Sequence, residues 1–317
     1  MPPVPLGRRR SGSDPHRVVC YHQTHFLPNG DYVSMQPLLA SGAGATHVII
    51  AAIHLNEDPN KITLNNDPPD APLFEPLWAD VRATQEAGTR VLGMLGGAAR
   101  GSYIRLDGSQ ADFEAYYAPL CELIRRRQLD GLDLDVEEET SLPGIVRLID
   151  RLHADFGDGF LITLAPVATA LVEGFRHLSG FSYKLLEQQR GSKIAWYNAQ
   201  FYNGWTFAEI PLAYGHIIAQ GWSPNKVVVG LLTNPKNGSQ GFVPIGTMSI
   251  VLSQLVQRYP TFGGVMGWEY FNSLPGEAAR PWEWAACMSL SMGLKELYET
   301  ALSVVSLQGL RSLRIPT

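Results

Sequence analysis

The chain has 317 residues, of which 45% are hydrophobic and 17% are charged, and its formal net charge is -5. A charged fraction below the usual value of roughly 25% favours a compact domain with a large interior and argues against a disordered chain. The acidic balance argues against a nucleic-acid partner, which needs a basic face, and no stretch reaches the roughly 18 apolar residues of a membrane helix.

Short apolar, β-branched segments recur along the chain at near-regular intervals. Strands that are buried on both faces read as continuous apolar runs of this kind, which are typical of a parallel sheet. The eight predicted strands are 17–21, 47–53, 90–94, 129–136, 160–164, 194–200, 226–231 and 263–268.

Helical patterns fill the intervals between these strands. Residues 111–127 carry apolar side chains at spacings of three and four, but Pro119 is expected to kink or split this helix. The other predicted helices are 76–87, 143–156, 209–220, 246–257 and 282–298. Eight alternations of strand and helix predict an α/β protein built as a single (β/α)8 TIM barrel, with its functional residues on the loops after the strands.

An open, doubly wound sheet is the alternative fold. It would place a glycine-rich phosphate-binding turn after the first strand, whereas residues 21–24 read Tyr-His-Gln-Thr. We therefore expect a barrel over residues 17–303, with tails at 1–16 and 304–317, in a chain that acts as a monomer.

An acidic strand carries the most informative chemistry. Side chains alternate between the faces of a strand, so Asp133, Asp135 and Glu137 share one face while the intervening leucines and valine share the other. In a barrel, the acids would line the interior up to the mouth. Buried like charges raise the pKa of at least one carboxyl group, and a carboxylic acid that stays protonated near neutral pH can protonate a glycosidic leaving group.

Two other interpretations of the acidic strand are a solvated surface face and a hard-cation site. Acids that alternate with leucine inside the strongest strand pattern argue against a solvated face. A straight strand presents its oxygen ligands in a line, whereas calcium-binding loops wrap around the ion.

Residues 129–137 resemble the signature of glycoside hydrolase family 18, which contains chitinases and endo-β-N-acetylglucosaminidases. The family pattern is apolar-Asp-Gly-apolar-Asp-apolar-Asp-x-Glu, and every constrained position matches it. Other family landmarks match in order at 94–97, 164–166, 200–203 and 267–268. Met94 stands where the family usually has Ser. The resemblance covers roughly residues 17–300 and itself implies the barrel.

Longer strings resemble the small fungal endo-β-N-acetylglucosaminidases of that family and favour cleavage of the N-glycan core over polymeric chitin. These strings lie at 94–99, 133–137, 151–157, 180–183 and 264–276. Glu138 and Glu139 depart from the pattern. We expect them to add negative charge at the mouth and to raise the pKa of Glu137 further.

The resemblance implies retaining hydrolysis in which the 2-acetamido oxygen of the substrate is the nucleophile. It implies that Glu137 is the general acid and later the base, and that Asp135, about 7 Å deeper by strand rise, orients the acetamide group. Asp133 would share a proton with Asp135, and Tyr202 would donate its hydroxyl to the acetamide oxygen. The reaction requires no metal or organic cofactor.

Several residues are candidate substrate contacts. Trp268 is expected to stack beneath the N-acetylglucosamine that is cleaved, with a core tryptophan that closes the barrel as the alternative. Gln200 and Asn203 are expected to hydrogen-bond nearby. The remaining candidates are Tyr21, Gly96, Gly97 and Glu269. The glycines fit a simple turn equally well, and the glutamate is either a rim contact or a substrate contact.

Histidine and cysteine residues show no spacing typical of a metal site. We predict that His22, His25, His47 and His54 are hydrogen-bonded scaffold residues. The three cysteines are too few and too far apart for a disulfide framework or a zinc site. Together with a chain start that lacks an apolar signal segment, they predict a cytoplasmic protein. A sequon at 237–239 favours secretion as the alternative.

Three functions remain open from the sequence. The first is an endo-β-N-acetylglucosaminidase that cleaves the N,N'-diacetylchitobiose core of N-glycans. The second is a chitinase that acts on N-acetylglucosamine oligosaccharides. The third is a non-catalytic carbohydrate-binding barrel, and the retention of Glu137 argues against it.

Overall fold

The computed structural model describes residues 16–206 and 208–293. The predicted tails, except for His16, lie outside the described residues, as does the C-terminal part of the last predicted helix. Among the described residues, no helix is both long and apolar enough to cross a membrane.

Eight parallel strands close into a barrel, which confirms the predicted fold class. The sheet has nine strands among the described residues, of which all but β3 form the barrel: β1 (Arg17–His22), β2 (His47–His54), β3 (Thr63–Leu64), β4 (Arg90–Gly96), β5 (Gly131–Asp135), β6 (Leu161–Leu164), β7 (Trp196–Gln200), β8 (Val227–Leu232) and β9 (Gly264–Trp268). Each barrel strand pairs with the next, β1 pairs with both β2 and β9, and the short β3 adds antiparallel to β2. The eight predicted strands therefore exist, and each lies within two residues of its predicted bounds.

Helices surround the barrel in the order that the sequence predicts. They are α1 (Gln36–Ala40), α2 (Glu75–Glu86), α3 (Ser102–Leu106), α4 (Gln110–Arg127), α5 (Leu142–Phe156), α6 (Tyr183–Arg190), α7 (Ile210–Ala219), α8 (Ile245–Arg258) and α9 (Glu283–Ser291). The sequence patterns missed α1, α3 and α6, which are short or weakly apolar and therefore show little periodicity.

Pro119 does not split α4, so of the two predicted effects, a kink or a split, the split is absent. The helix runs unbroken through the proline, and a capping box between Ser109 and Asp112 stabilises its first turn. The buried side chains of Phe113 and Leu120 anchor it to the barrel on both sides of the proline. This packing offsets the hydrogen bond that a proline removes from a helix.

Two apolar clusters form the core. The larger cluster lies between the barrel and its helices and includes Leu132 and Leu134 of β5. The smaller cluster contains Val19, Leu92, Trp196 and other residues that fill the barrel interior. The interior is therefore packed, as in other barrels of this type, and Tyr21, Tyr202 and Trp268 connect this packing to the polar residues described next.

Candidate active site

The acidic strand β5 directs its carboxylates as the alternation predicts. Leu132 and Leu134 are completely buried in the cluster beneath the helices. Asp133 is 0% exposed and Asp135 is 6% exposed, whereas Glu137, just beyond the strand end, is only partly buried. The three acids therefore rise from the barrel interior towards its mouth.

Three hydrogen bonds hold the deepest acid, Asp133. The Tyr21 hydroxyl donates to its Oδ2 at 2.6 Å, and the Thr163 hydroxyl donates to its Oδ1 at 2.5 Å. Asn198 Nδ2 also donates to Oδ1, at 3.1 Å. Thr163 and Asn198 were not predicted from the sequence, although Asn198 lies two positions before Gln200 on β7 and so shares its inward face.

Gln200 bridges the two upper acids. Its Nε2 lies 3.1 Å from Asp135 Oδ1 and 3.3 Å from Glu137 Oε1, and it also lies 3.0 Å from the Ala165 carbonyl oxygen. An amide NH₂ has two hydrogens for these three oxygens. Gln200 therefore contacts both carboxylates directly. Its expected hydrogen bond to the substrate remains a prediction.

Burial raises the pKa of all three acids. For Asp135 the neighbouring charges of Glu137 and Asp133 add to burial and hold its pKa well above the usual value. Burial raises the pKa of Asp133 and Glu137 too, although hydrogen bonds from Tyr21 and Gln200, among others, act in the opposite direction. The Arg100 guanidinium also lowers the pKa of Glu137. A protonated carboxyl group is thereby favoured at the mouth.

Gly96 and Gly97 adopt backbone conformations that other residues rarely take. Their φ angles are 92° and 89°, in the region that favours glycine. A Cβ atom at Gly96 would lie 2.5 Å from the Tyr103 ring and 2.6 Å from the Asp135 carbonyl oxygen. The two glycines therefore make the turn after β4 and also allow Tyr103 to approach β5. A contact with substrate remains a prediction.

Glu138 does not point into the mouth, contrary to the expectation from the sequence. It is 8% exposed, and its two carboxylate oxygens accept hydrogen bonds from the backbone N–H groups of Gly101 and Tyr103. Burial, Gln200 and Arg100 account for the pKa of Glu137, without a contribution from Glu138 or Glu139. The expectation was wrong because Glu138 has the outward parity of Leu132 and Leu134.

Trp268 lies at the end of β9, partly buried at the top of the barrel. Its ring meets the Tyr21 ring edge-on, with 5.6 Å between centroids. The next residue, Glu269, is 7% exposed and accepts hydrogen bonds from the backbone N–H groups of Gln23 and Thr24. Glu269 thus holds the segment after β1 beside the Trp268 ring, and burial raises its pKa.

Tyr202 and Asn203 follow β7 but face different surroundings. The Tyr202 hydroxyl has no hydrogen-bond partner among the described residues, and burial with the neighbouring carboxylates holds the pKa of Tyr202 well above its usual value. It is therefore a free donor beside the acids. Asn203 Oδ1 instead accepts from the Ser239 backbone N–H at 2.8 Å, so its predicted contact with substrate stays a prediction.

Tyr21, with 1% exposure, contacts both Asp133 and Trp268 inside the barrel.

The histidines do not gather into a metal site. No group of three or more potential ligands is present among residues 16–206 and 208–293. His25 Nε2 lies 3.1 Å from the His22 carbonyl oxygen, and His47 pairs with the Thr46 hydroxyl at 2.8 Å. Both ring nitrogens of His22 and the Nδ1 of His54 are buried without a hydrogen-bond partner, so the prediction of hydrogen-bonded scaffold residues is not confirmed for these two histidines. Burial lowers the pKa of His22 and keeps the ring neutral.

Two recesses open at the mouth on either side of Gln23 and Thr24. One has a volume of about 560 Å³ and the other about 490 Å³. The first is bounded by Trp268, Asn234, Asn237 and Asn272, and the second by His54, Asn65 and Asn66. A groove of about 620 Å³ between α4 and α5 lies outside the helix ring and away from the carboxylates.

Comparison with known families gives a match over most of the described barrel. The model of the family described as Glycosyl hydrolases family 18 matches residues 17–240. The match includes the acidic strand, the glycine turn after β4 and Tyr202.

Two solved structures are similar over nearly their full lengths. Chitinase ChiC from Aspergillus fumigatus is 65% identical, with a TM-score of 0.81 over 87% of this chain and 99% of that chain. A fungal endo-β-N-acetylglucosaminidase from glycosyl hydrolase family 18 is 45% identical, with a TM-score of 0.84 over 88% of this chain and 99% of that chain.

Curated relatives are more distant and longer. Chitinase 2 of Rhizopus oligosporus is 26% identical over 214 residues, which are 61% of this chain and 36% of that protein. The chain spans between about a third and a half of the length of the curated relatives it matches.

Proposed function

The chain belongs to glycosyl hydrolases family 18, and from that premise we propose that it is a retaining glycosidase that cleaves the bond after an N-acetylglucosamine residue. The arrangement that carries this proposal is the vertical row of Asp133, Asp135 and Glu137. Its uppermost member is partly exposed with a raised pKa, as a general acid for a glycosidic oxygen requires.

Glu137 is the proposed general acid. It protonates the glycosidic oxygen as the bond breaks, and as a carboxylate it then takes a proton from the incoming water. Burial favours its protonated form, and the Gln200 amide holds the ionised form by a hydrogen bond to Oε1. The residue is thereby suited to both steps.

The position of Asp135 favours a nucleophile from the substrate. Two enzyme carboxylates would have to flank the sugar from opposite sides in the usual retaining mechanism. Here Asp135 and Glu137 have the same parity on one strand and share a single amide nitrogen of Gln200, so both carboxylates approach the sugar from the same wall of the barrel. The 2-acetamido oxygen of the substrate is then the proposed nucleophile, with Asp135 accepting a hydrogen bond from the acetamide N–H group.

Tyr202 and Trp268 complete the proposed subsite. The Tyr202 hydroxyl, which has no partner in the described chain, is placed to donate to the acetamide oxygen and align it for attack. The Trp268 indole offers a flat apolar plate to the C–H face of the sugar ring. Asp133 keeps Asp135 in a shared protonation state, because two buried acids so close together titrate as a unit.

The N-glycan core is the proposed substrate. An N-glycan is branched beyond its core, and two recesses diverge from the mouth on either side of Gln23 and Thr24. The wall of one recess carries the side-chain amide of Asn66, which suits the hydroxyl groups of mannose, whereas the amides of Asn65 and Asn237 already bond within the protein and shape the recesses. The similarity to a fungal endo-β-N-acetylglucosaminidase supports the same substrate.

Chitin is the second candidate substrate. The 65% identity to a protein described as a chitinase favours it. Chitin chains stack on aromatic rings, and the partly buried rings of Phe26, Trp268 and Phe271 line the two recesses at the mouth.

One experiment distinguishes these substrates. The protein is incubated with a high-mannose glycoprotein and, separately, with chitin oligomers, and the products are identified by mass spectrometry. Release of a glycan that leaves one N-acetylglucosamine on asparagine supports the N-glycan proposal, and release of chitobiose supports chitinase. Sugar binding without cleavage of either substrate would contradict the proposed hydrolase.

A further inference from the structure

Glu138 is buried beside the proposed acid without facing it. Its Oε2 accepts from the Gly101 N–H at 2.9 Å, and its Oε1 accepts from the Tyr103 N–H at 2.8 Å. The next residue, Glu139, is exposed. Glu138 and Glu139 therefore lie in different surroundings although both are acidic. Glu138 binds the connection between β4 and α3.

The same loop is attached to β5 on the other side of Glu137. The Gly97 N–H donates to the Asp135 carbonyl oxygen at 2.9 Å. We use the name loop 97–103 for the segment that runs from the end of β4 into the first turn of α3. Asp135 and Glu138, on either side of Glu137, bind this loop near its two ends. The Tyr103 hydroxyl adds a third contact, to the Leu95 carbonyl oxygen at 2.6 Å.

The loop has little conformational preference of its own. Gly97 and Gly101 have φ angles of 89° and 120°, and glycine loses more backbone entropy on ordering than any other residue. External hydrogen bonds must therefore fix the path between them. Glu138 supplies two such bonds from one side chain, and charged acceptors form stronger hydrogen bonds with N–H groups than neutral acceptors do.

Arg100 lies on this loop, immediately before the Gly101 N–H that Glu138 binds. Its guanidinium group acts on Glu137 and lowers the pKa of that acid against the effect of burial. The place of Arg100 relative to Glu137 depends on the backbone at Gly101. A change at Glu138 would therefore alter the pKa of Glu137 by displacing the loop.

We propose that Glu138 is a positioning residue for the catalytic acid: its carboxylate fixes the loop 97–103, and the loop in turn limits the movement of the Glu137 backbone and sets where the Arg100 charge lies. This inference rests on the proposed role of Glu137. In this role Glu138 acts through the two backbone N–H groups of the loop that its carboxylate binds, and not through its negative charge alone.

The test shortens the side chain without changing its charge. Glu138→Asp lacks one methylene group, so its carboxylate falls short of the two N–H groups, while Glu139→Asp is the matched control at an exposed position. The pKa of Glu137 is measured by carboxyl-carbon NMR titration, with Glu137→Gln used to assign the signal. We expect the pKa of Glu137 to rise in Glu138→Asp and to stay at the wild-type value in Glu139→Asp.

Arg100→Gln shows whether the effect passes through the loop cation. It should raise the pKa of Glu137 by itself, and Glu138→Asp should add no further rise in that background. A role of Glu138 as a simple negative charge predicts the opposite pattern, in which Glu138→Gln lowers the pKa of Glu137 and Glu138→Asp leaves it unchanged. That pattern, or equal values in Glu138→Asp and Glu139→Asp, would overturn the proposal.

Kinetics supply a second measurement on whichever oligosaccharide the enzyme cleaves. We expect kcat to fall about tenfold in Glu138→Asp with little change in KM, because small displacements of a catalytic group slow the chemical step. If Glu138→Asp does not fold, Glu138→Gln keeps the length of the side chain and takes its place: a rise in the pKa of Glu137 there supports the proposal, and a fall overturns it. The titration needs no turnover, so an inactive wild type would contradict the proposed function and leave the positioning role measurable.

Discussion

The Tyr21 hydroxyl donates a 2.6 Å hydrogen bond to Asp133 and so joins the first barrel strand to the base of the acidic row. Both residues are buried, with 1% and 0% exposure. The same tyrosine ring meets Trp268 edge-on. One side chain therefore supports both the deepest acid and the proposed sugar platform, although it is too deeply buried to form part of the open mouth.

Tyr21→Phe tests this support. Loss of the hydroxyl removes a donor to a buried carboxyl group, so we expect the free energy of unfolding to fall by about 1–3 kcal/mol. The pKa of Asp133 should rise further, because this hydrogen bond lowers it. The pH profile of kcat/KM should therefore move as well, since the acids titrate together.

Tyr214→Phe is the control for that substitution. Tyr214 is equally buried, but its hydroxyl donates to the Pro224 carbonyl oxygen, remote from the acids. It should lose about 1 kcal/mol of unfolding free energy and keep the wild-type pH profile. Identical profiles for Tyr21→Phe and the wild type would contradict the link between Tyr21 and the acidic row.

Glu137→Gln is expected to abolish hydrolysis without unfolding the protein. An amide has nearly the shape of a carboxyl group, but it cannot supply a proton to the leaving oxygen. General acid–base catalysis contributes roughly 10²–10⁴-fold to a rate, so kcat should fall at least that far while circular dichroism and Tm stay close to wild type. Wild-type turnover in this variant would disprove the assignment of the acid.

The barrel could be predicted from sequence because its strands are apolar on both faces. The runs around Val18, Ile50 and Val228 read as buried strands without reference to any partner, and all three positions are buried. The match to the family model confirms the resemblance first seen in residues 129–137. Strand parity also placed Asp133, Asp135 and Glu137 on the inward face correctly.

The contacts of individual polar side chains were harder to predict. Glu138 was assigned to the mouth because of its charge, whereas its parity puts it on the side of Leu134, where buried N–H groups need an acceptor. Thr163 and Asn198 were missed because each is a common residue on a strand, and only the pairing of β5 with β6 and the closure of the barrel bring them to Asp133. Such contacts depend on register between strands, which the sequence of one strand does not contain.

Trp268→Ala is expected to weaken substrate binding more than it destabilises the fold. The indole is partly exposed at the mouth, and loss of stacking against a sugar face costs about 2 kcal/mol, which corresponds to roughly a 30-fold rise in KM. Trp268→Phe should recover part of this loss.

Trp222→Phe is the control, since Trp222 is buried and its indole N–H donates to the Leu171 carbonyl oxygen away from the mouth. Equal KM values for Trp268→Ala and the wild type would exclude the platform role.

Asp135→Asn should make the folded protein more stable at neutral pH while it lowers turnover. The pKa of Asp135 is held well above its ordinary value of 3.8 by burial and by the charges of Glu137 and Asp133. A group whose pKa is higher in the folded state contributes stability that is fully present below the unfolded pKa and is lost as the pH rises through the folded pKa. As the pH rises above the unfolded value of 3.8, the wild type therefore loses this contribution progressively, whereas an asparagine does not titrate.

The measurement is Tm as a function of pH for the wild type and Asp135→Asn. We expect the variant to exceed the wild type by at least about 2 °C at pH 8, an increase that corresponds to roughly 1 kcal/mol in a domain of this size. The difference should shrink as the pH falls below 3.8, where the Asp135 carboxyl group of the wild type becomes protonated in the folded and the unfolded state alike. Asp150→Asn is the control with the opposite sign, because Arg190 lowers the pKa of Asp150 and its carboxylate stabilises the fold at neutral pH. If Asp135→Asn were less stable than the wild type at pH 8, ionisation of Asp135 would not destabilise the folded state, and a raised pKa for Asp135 would be wrong.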